Sequence, residues 1–194
     1  MFVMTIDQRG SRRGPDLVDR LLEEMAGRPG LVRGFERTAG DEVQGLLDDA
    51  TVVVDLALRL ARAQVWSIGI GAGAVREPVP ASVRAGAGPA FELARNAVER
   101  AKSVGPHCEV QGEDAGRARE AGDLLGLLAT LVQRRSKAGW EVVDLLAQGL
   151  TQREVASRLG ITTQAVNQRA RTAWWQHEHG LRPLAARLLD EAAT

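Results

Sequence analysis

The chain has 194 residues, of which 44% are hydrophobic and 26% are charged. Such a composition supports a folded core and excludes a largely disordered chain. Basic and acidic residues number 25 each, so the formal net charge is zero. The charges are divided unevenly, because residues 1–131 carry 16 basic against 19 acidic side chains and residues 132–194 carry 9 against 6. The C-terminal part therefore has a small basic excess, which favours a nucleic-acid partner there.

Cysteine content and hydropathy bear on the compartment. Cys108 is the only cysteine, which excludes an intramolecular disulfide and a cysteine-based metal site. Charged residues appear at Asp7 and Arg9, too early for a signal peptide, and no apolar run approaches the roughly 20 residues of a membrane span. These features predict a cytoplasmic protein.

Hydrophobic periodicity predicts alternating strands and helices over the first half of the chain. In chain order they are a strand at 2–6, a helix at 15–26, a hairpin of strands at 31–38 and 43–47, a helix at 50–62, a strand at 65–75, a helix at 88–102 and a short strand at 107–110. The first six follow the βαββαβ order of ferredoxin-like folds. We therefore predict an α+β protein with a ferredoxin-like domain at 1–112, a connecting helix at 113–136 and an all-α domain at 137–194.

A helix-turn-helix is predicted between about Trp140 and Trp175. Thr151 and Glu154 have the spacing of a capping box, in which each side chain satisfies the free backbone N–H of the other residue. Ala156 is small, as a close helix crossing requires, and Gly160 follows where a turn favours positive φ. The alternative is a plain helical hairpin with a polar surface. DNA binding is favoured because four features all fit a helix-turn-helix: the capping box, the small residue at the helix crossing, the glycine at the turn and the polar outer face.

The second helix of this motif has distinct inner and outer faces. Val166, Ala170 and Trp174 recur every fourth residue and are expected inside, and we favour core packing of Trp174 over base stacking. Amide side chains on the outer face pair with adenine and arginine pairs with guanine, while other polar groups contact phosphates. The predicted DNA-binding residues are Thr162, Thr163, Gln164, Asn167, Gln168, Arg169 and Arg171.

Two carboxylates predict a metal site in the N-terminal domain. Asp7 ends the first strand and Asp41 lies at the hairpin tip, and these positions are neighbours in a βαββαβ fold. Mg²⁺ prefers such oxygen ligands together with nucleotide phosphates. In the alternative interpretation, Asp41 shapes the turn and Asp7 caps a loop, and the residues alone favour neither.

Four strings carry a family resemblance: IDQRGSR at 6–12, RTAGDEVQGLL at 37–47, SIGIGAGAV at 67–75 and GPAFELARNAVERAK at 88–102. In this order they resemble the SatD family, bacterial proteins with a C-terminal helix-turn-helix that are labelled DNA-binding regulators. The resemblance covers most of the chain. It implies a DNA-binding regulator and adds little about mechanism.

More remotely, the same strings resemble the palm-type domain of class III nucleotide cyclases and diguanylate cyclases. That resemblance implies a metal held by Asp7 and Asp41. The cyclases also carry a transition-state Asn and Arg on a later helix, where this chain has Glu92 and Asn96. Glu92 repels phosphate and Asn96 has no positive charge. The resemblance therefore implies that the fold and the metal site are retained without cyclase activity.

Three functions remain open from the sequence. The leading hypothesis is a sequence-specific transcriptional regulator that binds double-stranded DNA as a homodimer and senses a nucleotide or related ligand, with Mg²⁺, through its palm-like domain. The second is a palm-domain nucleotidyl-transfer or cyclase-type enzyme targeted to DNA. The third is a DNA-binding assembly protein without a ligand. A leucine stripe on the connecting helix offers either a dimer seam or a surface that packs on the sheet: Leu124, Leu125, Leu127, Leu128 and Leu131.

Overall fold

The computed structural model describes residues 1–11 and 14–194. Within them the chain forms one mixed five-stranded sheet and eight α-helices, which confirms the α+β class. The strands are β1 Phe2–Gln8, β2 Leu31–Ala39, β3 Glu42–Leu47, β4 Trp66–Ala72 and β5 Cys108–Gly112. The helices are α1 Val18–Met25, α2 Ala50–Ala63, α3 Pro89–Ala101, α4 Ala115–Arg134, α5 Lys137–Leu146, α6 Gln152–Leu159, α7 Thr163–Thr172 and α8 Trp175–Ala192. Every strand and helix predicted from the sequence up to residue 136 is present, with ends shifted by a few residues.

The strand order in the sheet is β2-β3-β1-β4-β5. β1 is antiparallel to both of its neighbours, and β5 joins β4 in parallel. The register places Asp7 opposite Glu42 on β3 and opposite Ser67 on β4. The end of β1 and the β2–β3 turn therefore meet at one edge of the sheet.

Side chains of β1 alternate between the two faces of the sheet, as the strand period of two requires. Phe2, Met4 and Ile6 face a large apolar core that is covered by α1, α2, α4 and α8. Val3 faces the other side, where it belongs to a smaller cluster with residues of α3 such as Ala90. The sheet is thus enclosed between one broad helical layer and a single helix.

Glycines in β4 explain how closely α3 approaches the sheet. A Cβ atom on Gly71 would lie 2.1 Å from the carbonyl oxygen of Ala90 and 2.4 Å from the backbone nitrogen of Ala94. A Cβ atom on Gly69 would lie 2.2 Å from the nitrogen of Val98. The glycine-rich part of β4 is therefore required for the packing of α3.

Helices α5, α6 and α7 enclose a separate small core. Its buried members are Val142, Val155, Ala156, Val166 and Ala170. The helix α8 is shared, because its first residue Trp175 packs on this small core while Leu189 near its end belongs to the large core.

The leucine stripe on α4 is mostly internal. Leu125 and Leu128 are fully buried in the large core, and Leu124 packs against it, whereas Leu127 is 53% exposed. Leu125 and Leu128 thus pack within the monomer and do not form a surface seam. In the described part of the chain, no helix has the length and apolar composition needed to cross a membrane.

Candidate functional site

The turn between α6 and α7 is built by local caps. The predicted capping box is present, since the backbone N–H of Thr151 donates to Glu154 Oε2 (2.7 Å) and that of Glu154 donates to Thr151 Oγ1 (3.3 Å). Gly160 ends α6 with φ of +63°. Thr162 Oγ1 then accepts from the backbone N–H of Ala165 at the start of α7 (3.1 Å). These local caps therefore determine where α6 begins and ends and where α7 begins.

The two faces of α7 differ as predicted, with Arg169 and Trp174 as the two exceptions. Val166 and Ala170 are buried against α5 and α6. Six of the seven predicted DNA-binding residues are exposed: Thr162, Thr163, Gln164, Asn167, Gln168 and Arg171. Within residues 1–11 and 14–194, the side chains of Gln164, Asn167, Gln168 and Arg171 form no hydrogen bond to another residue. Their donors and acceptors are therefore available to a partner.

Arg169 is placed differently from the other six. It lies beside the buried stripe, and its Nη1 forms an ion pair with Glu141 Oε2 of α5 at 3.2 Å. One third of the Arg169 side chain is exposed. In this structure the Arg169 side chain therefore links α7 to α5.

The expectation that Trp174 packs in the core is wrong. Helix α7 ends at Thr172, so the four-residue period stops there, and the neighbouring Ala173 is the buried residue. Trp174 adopts a left-handed backbone with φ of +55° and is 53% exposed. It borders a cavity of about 390 Å³ that also contacts Asn167 and Arg171. An exposed aromatic ring thus stands beside the polar face of α7.

The carboxylate of Asp7 is already engaged. Only 16% of its side chain is exposed, and its Oδ2 lies 3.2 Å from Lys102 Nζ, just beyond the end of α3. Burial raises the pKa of Asp7 despite the opposing effect of Lys102, and the nearby charges of Asp41 and Glu42 raise it further. No pattern in the sequence indicated Lys102, because its contact depends on how α3 lies across the sheet.

Asp41 lies in the turn next to the end of β1, as expected. Its backbone carbonyl accepts from the N–H of Gln8 (3.3 Å). Among the described residues, no group of three or more His, Cys, Asp or Glu side chains is arranged to hold a metal ion. The shared Mg²⁺ of Asp7 and Asp41 stays a prediction.

A cleft of about 630 Å³ lies between the β2–β3 hairpin and α3. Glu92 and Asn96, the two positions that differ from the cyclase pattern, both line it. The formal charges of its lining cancel, because it contains two arginines, Arg84 and Arg95, and two glutamates, Glu42 and Glu92.

A buried ion-pair network joins α8 to the end of α4, and the sequence did not indicate it. Arg135 Nη2 lies 3.2 Å from Glu178 Oε2, and both side chains are fully buried. Arg182 Nε donates to the other oxygen of Glu178 (2.6 Å). The guanidinium groups of Arg135 and Arg62 lie over the ring of Trp140, at 4.3 Å and 3.7 Å from its centroid. Burial lowers the pKa of Arg135, although Glu178 opposes the shift.

The chain matches no family model, no curated protein and no solved structure. The resemblance to the SatD family therefore stays a prediction, and function is argued from the residues themselves.

Proposed function

We propose that the chain is a sequence-specific DNA-binding transcriptional regulator in which α6 and α7 form a helix-turn-helix. The observation that carries the proposal is the outer face of α7, where amide and guanidinium side chains are exposed and have no partner within the described residues. Asn167 and Gln168 would read adenine, and Arg171 would read guanine, from the major groove.

Charge around α7 supports the same proposal. Arg153 and Arg158 are exposed on α6, so phosphate contacts are available beside the base-reading face. Thr162 and Thr163 at the start of α7 would add hydroxyl contacts, and the helix N-terminus favours a phosphate. A single motif makes few contacts, so we propose that the chain binds DNA as a homodimer.

Selection of duplexes from a random pool tests this function. We expect one enriched sequence, bound with an affinity that falls steeply as salt concentration rises because phosphate contacts release counterions. A pool that stays random after repeated rounds would exclude a sequence-specific regulator. Light scattering that finds a monomer both alone and on the enriched duplex would exclude the homodimer.

For the N-terminal part we propose a ferredoxin-like, palm-type arrangement that senses a nucleotide. Its support is the β2-β3-β1-β4 order, with β1 antiparallel to both neighbours and α1 and α2 in the connections. A nucleotide bound with Mg²⁺ at Asp7 and Asp41 should raise the melting temperature, because a ligand that prefers the folded state stabilises it. Asp41→Asn should abolish that shift, whereas the exposed Asp48→Asn should keep it. No shift with ATP or GTP in wild type would favour the assembly protein without a ligand.

The enzyme remains the second candidate because Arg84 and Arg95 line the cleft beside the hairpin and suit a triphosphate. Glu92 and Asn96 line the same cleft where cyclase chemistry needs Asn and Arg, so we expect no turnover of ATP or GTP. Accumulation of a cyclic or linear nucleotide product would establish the enzyme instead.

A further inference from the structure

A second cleft lies where the sheet region meets the α5–α7 unit. It has a volume of about 400 Å³, within the usual range of small-molecule sites. Helix α2 forms one wall through Val52 and Leu56, and α5 with the residue after it forms another through Val143 and Ala147. Any occupant would contact both parts of the molecule.

The lining of this cleft is rich in arginine. Its lining contains four arginines, Arg28, Arg59, Arg62 and Arg182, against two carboxylates, Asp55 and Asp144. Two further carboxylates outside the lining, Glu178 and Glu24, pair with Arg182 and Arg59. The cleft beside the hairpin balances two basic against two acidic residues. The groove between β5 and α4 balances in the same way, with Arg100 and Arg119 against Glu109 and Asp123. The junction cleft therefore offers an anion more guanidinium groups than either of the other two.

One ion pair across this cleft can be exchanged at little cost. Arg62 on α2 holds Asp144 on α5 through two hydrogen bonds of 2.6 and 2.8 Å. The two side chains are 41% and 43% exposed, so water screens the pair and a competing anion can reach it. The Arg135–Glu178 pair has no such access, since both side chains are fully buried.

Arg59 adds a second guanidinium on the same helix. Its contact with Glu24 is long, 3.4 Å, and its side chain is about half exposed. Arg59 lies three residues before Arg62, so both project from one side of α2. Guanidinium groups bind phosphate oxygens in a bidentate manner, which a point charge cannot reproduce.

We propose that this cleft binds a small molecule that bears a phosphate group. The phosphate takes the place of the Asp144 carboxylate on Arg62, with Arg59 as a second donor, and the apolar walls cover the rest of the molecule. Binding breaks the α2–α5 bridge while the buried pair keeps α8 in place. The ligand therefore alters how the α5–α7 unit is held against the sheet region.

Pyrophosphate is a suitable probe, because it presents the phosphate chemistry without the rest of a ligand. It is titrated into the full chain in EDTA, which removes any contribution from a Mg²⁺ site, and tryptophan fluorescence reports on Trp140 and Trp175 in the cleft lining. Sodium chloride at matched ionic strength is the control for screening. We expect a saturable change with pyrophosphate and none with chloride.

Two substitutions at the same bridge should have opposite effects. Arg62→Gln should weaken pyrophosphate binding about tenfold or more, the loss expected for a charge-assisted hydrogen bond. Asp144→Asn should tighten binding, because it removes the competing carboxylate. Arg187→Gln, an exposed arginine of α8 outside the cleft, should change nothing. Melting temperatures of all three variants confirm that they are folded.

No saturable change in wild type, or an Arg62→Gln variant that binds as well as wild type, would overturn the site. Weaker pyrophosphate binding by Asp144→Asn would overturn the proposal that phosphate replaces the Asp144 carboxylate on Arg62. The phosphate site does not depend on the proposed function, and the two can fail separately. Pyrophosphate binding without any DNA binding would reject the regulator and keep the site, whereas specific DNA binding without pyrophosphate binding would do the reverse.

Discussion

The sheet region and the α5–α7 unit use their charged and polar residues in different ways. In the sheet region Asp7 is mostly buried. Its carboxylate, which was predicted to bind metal, already forms an ion pair with Lys102. In the α5–α7 unit a core of five buried residues is enough to fix α7, and the polar side chains on its outer face remain exposed. The comparison shows that residue type alone does not define a site, because the site also needs groups without an internal partner.

The largest effect is expected at the ion pair that connects the two regions. Glu178→Gln leaves Arg135 buried without a counter-charge, and removal of one member of a buried pair costs about 3–5 kcal/mol in the free energy of unfolding. Urea denaturation followed by circular dichroism measures this loss. Glu191→Gln, which breaks partly exposed pairs of the same helix, should cost about 1 kcal/mol or less. Equal losses in the two variants would mean that the buried pair does not hold the regions together.

A smaller loss is expected where α3 lies on the sheet. Gly71→Ala forces a methyl group against the backbone of α3, and overpacking of this kind costs about 1–3 kcal/mol. Gly34→Ala on β2 is the matched control, because a Cβ atom there meets no described residue within 4 Å. If both variants unfold at the wild-type urea concentration, α3 is not packed as closely as the structure shows.

The pH dependence of the free energy of unfolding tests the description of Asp7 as a buried carboxylate paired with Lys102. Its pKa in the folded state is raised above the usual value of 3.8, so the contribution of Asp7 to stability is full below that value and is lost as pH rises through the folded pKa. Asp7→Asn should therefore match wild type near pH 3 and gain stability relative to it at neutral pH. Parallel urea titrations at the two pH values measure the difference. A variant that loses stability at neutral pH would show that the Lys102 pair outweighs burial.

The smallest effect is expected at Trp174. Because its ring is largely exposed, Trp174→Ala should change the free energy of unfolding by no more than about 0.5 kcal/mol. Trp66→Ala, at a ring that is 6% exposed, should cost about 3–5 kcal/mol. Thermal unfolding of the two variants separates them, and a large loss at Trp174 would restore the core position that the sequence predicted.

Local patterns predicted more of this molecule than long-range contacts did. The strands and helices could be predicted because the spacing of apolar residues, the helix caps and the turn residues each act within a few positions of the chain. The capping box of Thr151 and Glu154 is an example. The Arg135–Glu178 pair joins residues 43 positions apart, and no local pattern encodes it. Trp174 was misplaced because a period of four says nothing about where α7 ends. The exposed face of α7 was predictable, whereas the lysine that pairs with Asp7 was not.

The most direct test of the account is the affinity of Arg171→Ala for the enriched duplex and for a random duplex, measured by fluorescence anisotropy at one salt concentration. Arg171 is exposed on α7, and loss of a base-reading arginine costs about 1–3 kcal/mol at the cognate site. We predict that this loss falls on the enriched duplex, that the random duplex is bound nearly as before, and that Arg187→Ala on α8 changes neither. Equal losses on both duplexes, or none on either, would contradict the assignment of α7 as the helix that reads the sequence.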